Sequence, residues 1–386
     1  MIGYMHREKL IFLTPFILAL WMGAQIVRSD AKRAMELEAQ GKLTESADVW
    51  RAIIRSNPND AEAYASLGLV LSEEDQYAEA VSAYHRALAI KPTLRILQLN
   101  LGLAEFKQGH FESAIPPLRA ALAADPHSLQ IRVLLGMSYY GSEQFAKATE
   151  QLAAAVKADP ENLELRQVLA QSCLFAKKYS CALEEFRKIL QQKPDSAAVH
   201  VLYGEALDGL DRTPEAITEF QAAAQAAPQQ PDVHFGLGFL YWKMFQFEKA
   251  REEFEEELAR YPDQAQALAY LGDVEYKTGN LKRSLELLQK ALHLRNNIRI
   301  AYLDIGAILT QEHRYPEAIQ ALKRAVDLDP TQPEAYFLLG RAYQASGNRP
   351  EAEKLYAKTK TLQKGQVDKL ASQLFPQESP FPPKSK

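Results

Sequence analysis

Apolar side chains recur at spacings of three and four residues along most of the chain, in short segments that come in pairs. In one pair the first segment carries Tyr64, Leu67, Gly68 and Leu71, and the second carries Ala80, Tyr84 and Ala87. At about 100° per residue, each set lies on one face of a helix. Pro92 follows the second segment, and proline does not continue a helix. The pattern predicts two amphipathic helices that pack together and end at the proline.

The same pattern returns every 34 residues. One position of each first helix holds a small residue: Ala34, Gly68, Gly102, Gly136, Ala170, Gly204, Gly238, Gly272, Gly306 and Gly340. Twelve residues later a second small residue follows: Ser46, Ala80, Ala114, Ala148, Ala182, Ala216, Ala250, Ser284, Ala318 and Ala352. Four residues further on the side chain is large and apolar: Trp50, Tyr84, Leu118, Leu152, Phe186, Phe220, Phe254, Leu288, Leu322 and Tyr356. Ten repeats in one register therefore fill residues 27–366.

Prolines separate most of the repeats. They stand at residues 58, 92, 126, 160, 194, 228, 262 and 330, and Asn296 takes the remaining place. Small polar residues follow, and we expect them to cap the next helix by accepting hydrogen bonds from its free backbone N–H groups. These residues are Asn59, Thr93, Ser128, Asp195, Asp263 and Thr331.

The glycines of the first helices need a physical reason, because glycine inside a helix costs up to about 1 kcal/mol relative to alanine. We expect the small residue of each first helix to face the small residue of the second helix. The two backbones then approach closely, and the closer packing offsets the cost of the glycine.

This pattern resembles the tetratricopeptide repeat, and the resemblance covers residues 27–366. The family signature W-x-x-L-G-x-x-Y … A-x-x-x-F … P is matched in the last repeat by Tyr336, Leu339, Gly340, Tyr343, Ala352 and Tyr356. The resemblance implies an all-α fold, a right-handed superhelical solenoid of tandem antiparallel helix pairs with a concave groove. The first repeat departs from the signature at Arg33 and Ala34, as suits a terminal repeat, and Glu257 occupies a position that usually holds alanine.

Residues opposite the packing face of each first helix are the candidates for binding a partner. In the seventh repeat they are Asp232, Phe235, Phe239, Trp242 and Lys243. Equivalent positions elsewhere carry Phe106, Met137, Tyr140, Leu174, Phe175, Tyr276 and Phe337, mixed with Gln167, Gln171, Glu205, Asp208, Asp273 and Arg341. Aromatic residues at exposed positions are typical of binding surfaces, so we predict a partner-binding groove. The alternative is that neighbouring first helices cover these side chains.

Two groove chemistries known from this family are missing. Chaperone-binding members hold a peptide carboxylate with Lys and Asn residues, and the matching positions here carry Leu99, Leu103 and Val133. Glycosyltransferase-associated members carry a ladder of asparagines, of which only Asn100 is present. Neither specific function is expected.

Residues 1–26 have the layout of a signal peptide or signal anchor. A short basic start, MIGYMHREK, is followed by the apolar stretch LIFLTPFILALW. The uncharged run from Leu10 to Val27 just reaches transmembrane length, whereas cleavage after Ala24 would place the large Met22 at the minus-three position. A cleaved signal makes the protein periplasmic or secreted, and an uncleaved one anchors it in the inner membrane with the repeats outside the cytoplasm. A buried structural helix is the third alternative.

The C-terminal residues continue the last helix and then change character. Residues 367–375 are predicted to form a Lys-rich helical extension that covers the open end of the stack. Residues 376–386, PQESPFPPKSK, are predicted to form a disordered tail. A short proline-rich ligand is the alternative for this tail.

Composition and motifs indicate neither an enzyme nor a nucleic-acid-binding protein. The net charge of −4 is close to neutral for 386 residues, and no phosphate-binding glycine loop, HExxH motif, metal-spaced cysteine cluster or nucleophile elbow is present. His200 and His234 share one position in adjacent repeats and are interpreted as satisfied core residues rather than a metal pair. The acidic run at 248–261 is interpreted as a solvated helix face. We predict no catalytic residues, no cofactor and no metal.

The only two cysteines, Cys173 and Cys181, lie in one helical hairpin. An even count in an exported chain is compatible with a disulfide. Cys173 occupies a packing position, whereas Cys181 stands beside Ala182 and is expected to point away from the partner helix. This placement favours two free thiols.

Together these features predict a non-enzymatic scaffold of the cell envelope that binds an apolar or amphipathic segment of another protein or peptide in its groove. The alternative is an assembly or accessory subunit whose outer helices contact a larger envelope complex. No nucleic-acid partner is expected, and a membrane is contacted only through an uncleaved N-terminal segment.

Overall fold

Twenty α-helices account for most of residues 29–374, the part of the chain that the computed structural model describes, with side chains through residue 369. No β-strand occurs within these residues. Successive helices pair as ten repeats, which confirms the all-α fold of tandem helix pairs. The predicted leader at 1–26 and the predicted tail at 376–386 lie outside the described residues. Across the twenty helices, none combines the length and the apolar character required to cross a membrane.

The chain divides into two compact halves after Gln192. The N-terminal half holds repeats 1–5, with helices α1 (29–39), α2 (Leu43–Ser56), α3 (Ala61–Glu73), α4 (Tyr77–Ile90), α5 (Ile96–Lys107), α6 (Phe111–Ala124), α7 (Leu129–Gly141), α8 (Phe145–Ala158), α9 (Leu163–Phe175) and α10 (Tyr179–Gln192). The C-terminal half holds repeats 6–10, with helices α11 (Ala197–Asp208), α12 (Thr213–Ala226), α13 (Val233–Lys243), α14 (Phe247–Arg260), α15 (Ala265–Lys277), α16 (Leu281–Leu294), α17 (Arg299–Gln311), α18 (Tyr315–Leu328), α19 (Pro333–Ala345) and α20 (Arg349–Leu374).

Within each half the helices pack in a regular order. The two helices of a repeat pack against each other, and the second helix also packs against the first helix of the next repeat. First helices of neighbouring repeats touch as well, α3, α5, α7 and α9 in the N-terminal half and α13, α15, α17 and α19 in the C-terminal half. They line one face of each half, which we call the first-helix face.

The repeat glycines make room for a large side chain of the second helix. A Cβ atom placed on Gly204 would lie 2.7 Å from Cδ2 of Phe220 and 3.3 Å from the backbone oxygen of Ala216. The other seven glycines have the same environment, each against the large residue sixteen positions later. The close approach that the sequence predicts is therefore present, but the expected contact between two small residues is wrong. The small residue of the second helix is buried beside this contact. The large residue of the same helix fills the space next to the glycine.

Each of four repeats carries a side chain that bonds the turn leading into its first helix. Arg132, Arg166, His200 and Tyr302 occupy the same repeat position, and each hydrogen-bonds the backbone oxygen of the residue six places earlier. That residue is Pro126, Pro160, Pro194 and Asn296 in turn. We call this contact the turn clasp.

The two histidines singled out in the sequence bind carboxylates of their own repeats. Nδ1 of His200 lies 2.6 Å from Glu219, and Nδ1 of His234 lies 2.7 Å from Glu253. Both glutamates belong to the second helix of the same repeat, α12 and α14. These contacts agree with the interpretation of satisfied packing residues.

Helix capping by polar side chains is less regular than the sequence suggests. Ser128 caps α7 as predicted, through a bond from the N–H of Ile131. Asp60 and Asn162 cap α3 and α9 instead of the residues nearest the prolines. The other predicted caps, at Asn59, Thr93, Asp195, Asp263 and Thr331, do not cap a helix, because each stands one or more residues before the N-cap position.

Glu257 caps a neighbouring helix, which explains why it replaces the usual alanine. Its carboxylate is buried and accepts hydrogen bonds from the backbone N–H groups of Asp232, at 3.0 Å, and Phe235, at 3.2 Å. Both donors lie at the start of α13, where backbone N–H groups have no partner within the helix. A negative charge is also favourable at a helix N-terminus. Glu257 therefore holds α13 in place from within the same repeat.

Cys173 and Cys181 form a disulfide, so the prediction of two free thiols is wrong. Cys173 is buried near the end of α9, Cys181 lies in the first turn of α10, and their Cα atoms are 5.8 Å apart. Next to a tight turn the two helices have not yet separated. A residue beside the packing face therefore still reaches the partner helix there, although it would point away from it further along.

Candidate protein-binding face

Four aromatic rings meet on the first-helix face of the C-terminal half. Phe235, Phe239 and Trp242 project from α13, and Tyr270 comes from α15. The ring centroid of Tyr270 lies 6.0 Å from Phe235, 5.3 Å from Phe239 and 5.0 Å from Trp242, and Phe239 stacks on Trp242 at 5.7 Å. We call these four residues the aromatic cluster. Offset and edge-to-face contacts of this kind stabilise ring pairs by about 0.5–1.5 kcal/mol each.

The cluster is neither core nor free surface. All four rings are half-buried, whereas Leu237 and Tyr241 on the opposite side of α13 are buried. Tyr270 from the next first helix covers part of each ring. Neighbouring first helices therefore cover these rings in part, and each ring keeps an exposed edge.

Hydrogen bonds between neighbouring first helices fix the orientation of these side chains. The indole N–H of Trp242 donates to Asp273 at 2.5 Å, and the ammonium of Lys243 donates to Asp208 of the preceding repeat at 2.7 Å. In the N-terminal half, the hydroxyl of Tyr140 donates to Gln171. These two residues occupy the same repeat positions as Trp242 and Asp273. The indole is therefore held before any partner arrives, which lowers the entropy lost on binding.

Two acidic side chains adjoin the cluster where α15 meets α17. Asp273 and Asp304 are only 2% and 5% exposed, and their carboxyl groups hydrogen-bond each other. Burial raises the pKa of Asp304 well above its ordinary value, and the charge of Asp273 raises that pKa further. Asp304 therefore keeps its proton to a higher pH than an exposed aspartate does.

The N-terminal half has its own aromatic group on the first-helix face. Tyr140, Phe145 and Phe175 lie within 5.0–6.3 Å of one another, and Phe175 is 46% exposed. Phe106 packs on Phe111 at 5.5 Å in the third repeat. Of the predicted site residues in this half, the structure thus brings Tyr140 and Phe175 together.

A small cavity opens on the same face between α3 and α5. Its volume is about 210 Å³, and its lining includes Leu69, Leu103, Asn100 and the ring of Tyr84. The hydroxyl of Tyr84 lies 3.2 Å from that of Ser72. This mostly apolar space with a few polar atoms suits a single side chain of a peptide.

The remaining predicted residues, Tyr276 and Phe337, belong to later repeats of the C-terminal half. Tyr276 is half-buried, and the ammonium of Lys277 lies 5.5 Å from its ring centre. Phe337 is 45% exposed and packs on Tyr356. Within residues 29–369, no group of three or more His, Cys, Asp or Glu side chains is arranged to hold a metal ion.

Family models of the tetratricopeptide repeat match almost the whole repeat array. Models described as tetratricopeptide repeat cover residues 32–94, 105–172, 174–237, 235–297 and 335–368, and a model described as TPR repeat covers 306–347. The chain belongs to the tetratricopeptide repeat family. Membership of this family indicates a scaffold for protein interactions.

Solved tetratricopeptide repeat structures resemble the chain only distantly. The yeast Tom70 structure is 14% identical, with 91% of this chain and 95% of that chain covered and a TM-score of 0.43. YrrB, titled a TPR protein with an unusual peptide-binding site, is 22% identical over 50% of this chain and all of its own, with a TM-score of 0.39. MamA is 22% identical over 43% of this chain and 96% of its own, with a TM-score of 0.37. A comparison with the curated proteins found no match.

Sequence reasoning missed Tyr270 and Asp304. Both occupy one repeat position, which Asn100 also occupies, and the signal was therefore available. In a tetratricopeptide repeat protein this position lies where adjacent first helices meet. The neighbouring repeat sets the surroundings of this side chain, so the pattern within one repeat does not reveal its role.

Proposed function

We propose that this protein is a non-enzymatic scaffold that binds an apolar or amphipathic peptide segment of another protein along the first-helix face. The observation that carries the proposal is the half-buried aromatic cluster of Phe235, Phe239, Trp242 and Tyr270. Aromatic side chains dominate binding energy in many interfaces. The four rings of the cluster hold one another in place and keep an exposed edge, as the aromatic residues of a binding surface do.

The polar groups around the cluster support an amphipathic rather than a purely apolar segment. Lys243 and Asp208 form an ion pair beside it, and Asp273 binds the indole of Trp242. A segment that crosses this surface would meet apolar rings and charged groups within one helix turn.

Truncating the cluster is expected to remove most of the binding. In the double variant Phe239→Ala with Trp242→Ala, we expect the affinity for the partner to fall at least a hundredfold, because two aromatic anchors are lost. The free energy of unfolding should fall by about 2–5 kcal/mol, because three ring contacts and the bond to Asp273 are lost. This is less than the loss for two fully buried rings, which cost about 3–5 kcal/mol each. In vivo cross-linking would identify the partner, and surface plasmon resonance with the purified partner would measure the affinity.

The control for this test is Phe245→Ala in the same repeat. Phe245 is 79% exposed in the turn after α13 and lies outside the cluster. Its truncation should leave both affinity and stability unchanged. Equal affinity of the double variant and the wild type would refute the proposed binding face, and a stability loss as large as that of two core rings would assign the cluster to the core.

We further propose that the repeats reside in the cell envelope, outside the cytoplasm. The basic and apolar start of the chain supports this location, and so does the disulfide, since disulfides persist in oxidising compartments. Mass spectrometry of the native protein should show a mature start near Gln25 or an intact chain in the membrane fraction. Alkylation before reduction should find Cys173 and Cys181 protected. Full-length protein in the soluble cytoplasm with two reactive thiols would contradict the proposal.

A further inference from the structure

The buried acid pair of Asp273 and Asp304 receives few hydrogen bonds from the rest of the chain. Oδ2 of Asp304 is buried, and no N–H group or hydroxyl of another residue donates to it. The other contacts of the pair are the bond between its two carboxyl groups and the indole N–H of Trp242, which donates to Asp273. Leaving a buried polar atom without a hydrogen bond costs about one to three times the free energy that an ordinary hydrogen bond contributes. Native proteins therefore rarely do so without a reason.

A cation already lies at the edge of the pair. The ammonium of Lys277 is 3.9 Å from Oδ1 of Asp273, which is beyond hydrogen-bond distance, and 5.5 Å from the ring centre of Tyr276. The Lys277 side chain is 42% exposed at this edge of the pair. The position of this ammonium shows that a positive charge is accommodated between a carboxylate and an aromatic ring at this point of the first-helix face.

The surroundings match what a basic side chain requires. Carboxylates give an ammonium or guanidinium group charge-assisted hydrogen bonds, and aromatic faces attract it through their quadrupole. Trp242 of α13 bonds Asp273, and the ring of Tyr276 of α15 lies beside the Lys277 ammonium. The aromatic cluster next to it would hold neighbouring apolar residues of the same segment.

We propose that Asp273 and Asp304 form a subsite for a lysine or arginine side chain of the bound segment. The inference rests on the proposed function and adds to it the chemistry of the partner, a basic residue flanked by apolar ones. Binding replaces the proton of Asp304 with the cation of the segment. The proton leaves to solvent, and both carboxylates are then ionised against one positive charge.

This exchange makes binding depend on pH. The charged groups that act on Asp304 are Asp273 and Lys277 from α15 and Glu334 from α19, and Arg341 of α19 acts on the adjacent Tyr276. Since burial and Asp273 raise the pKa of Asp304, protonation competes with the cation at pH values at which an exposed aspartate has already lost its proton. The affinity for a basic segment should therefore fall as the pH is lowered, and each binding event should release up to one proton.

The test is a selection of random twelve-residue peptides displayed on phage, performed on the full chain and on four variants, one of which is Phe239→Ala with Trp242→Ala. The wild type should enrich apolar peptides that contain Lys or Arg at a fixed position. Asp304→Asn should still enrich apolar peptides but without the basic residue, and Asp263→Asn, which removes an exposed carboxylate, should select as the wild type does. Asp304→Asn resembles the protonated acid and is expected to fold, which circular dichroism checks, and Asp273→Asn serves as a second variant.

Calorimetry on one selected peptide then measures the exchange directly. Replacing its basic residue by norleucine should weaken binding to the wild type roughly tenfold or more, and should weaken binding to Asp304→Asn much less, because only Asp273 remains there. Titrations in buffers of different ionisation enthalpy should show proton release for the wild type and none for Asp304→Asn.

The outcomes separate the two proposals. Enrichment of apolar peptides without a basic residue, or equal binding of the norleucine peptide, would overturn the subsite and leave the aromatic binding face intact. If Lys277 alone neutralises the pair, basic peptides bind no better than apolar ones. This result would also overturn the subsite. Failure of the wild type to enrich any peptide above the level of Phe239→Ala with Trp242→Ala would remove both proposals.

Discussion

Replacing Gly204 by leucine is expected to lower the free energy of unfolding by about 3 kcal/mol. A Cβ atom at this position would lie 2.7 Å from Cδ2 and 2.8 Å from Cε2 of Phe220, and no leucine rotamer removes that atom. Phe220 is itself buried, so its ring has no room to move aside. Overpacking of this kind costs about 1–3 kcal/mol or more, and here helices α11 and α12 would have to separate. Chemical denaturation followed by circular dichroism measures the effect.

Gly365→Leu provides the matched control. Gly365 also lies inside a helix, α20, but has no neighbour within 4 Å of a Cβ atom. Leucine has the higher helix propensity, so this variant should be neutral or more stable by up to about 0.8 kcal/mol. Equal behaviour of the two variants would show that the close approach of α11 and α12 is absent.

Removing both arginines around Glu275 is expected to destabilise the C-terminal half by about 3–5 kcal/mol. The Glu275 side chain is fully buried in α15 and is bound by Arg251, at 2.9 Å, and Arg283, at 3.0 Å. Asn280 donates a further bond at 2.6 Å. The variant Arg251→Met with Arg283→Met leaves the carboxylate buried and almost unpaired, which is far more costly than losing an exposed ion pair.

The pH dependence of this loss identifies its cause. Burial pushes the pKa of Glu275 upward, but hydrogen bonds from Arg251 and Asn280 outweigh it, so the pKa is lowered in the folded protein. The wild type gains stability from Glu275 above the unfolded pKa and loses it as the pH falls. Without the arginines burial dominates, the pKa is raised, and stability instead falls as the pH rises through the unfolded pKa.

The difference between wild type and double variant should therefore be largest near neutral pH and shrink in acid. Adding Glu275→Gln to the double variant should recover part of the loss, because no buried charge remains. A loss that is independent of pH, and that Glu275→Gln does not relieve, would point to lost packing of the arginine stems instead.

Features that repeat were predictable from the sequence, because each is decided within one repeat. The glycines at intervals of 34 residues predict a close helix approach that Phe220 and its equivalents fill, and the prolines mark the repeat ends. Aromatic residues opposite the packing face likewise predicted that Phe235, Phe239 and Trp242 lie together.

Features that depend on a single neighbour were not predictable in this way. Tyr270 and Asp304 acquire their roles from the first helix beside them, and Glu257 from the start of α13. Cys181 was assigned to the wrong side, since helical periodicity describes an ideal helix and ignores the turn that brings α9 and α10 together. The half-burial of the aromatic cluster is of the same kind, because it depends on how much of each ring Tyr270 covers.

The turn clasp has a consequence for how such an array changes over evolutionary time. Its donor and acceptor are six residues apart in the chain, as with Arg132 and Pro126, so the contact travels with a repeat as one segment. A duplication or deletion that spans a whole repeat keeps every clasp intact, and donors as different as arginine, histidine and tyrosine serve at the same place. The array can therefore change in length by whole repeats without breaking any clasp.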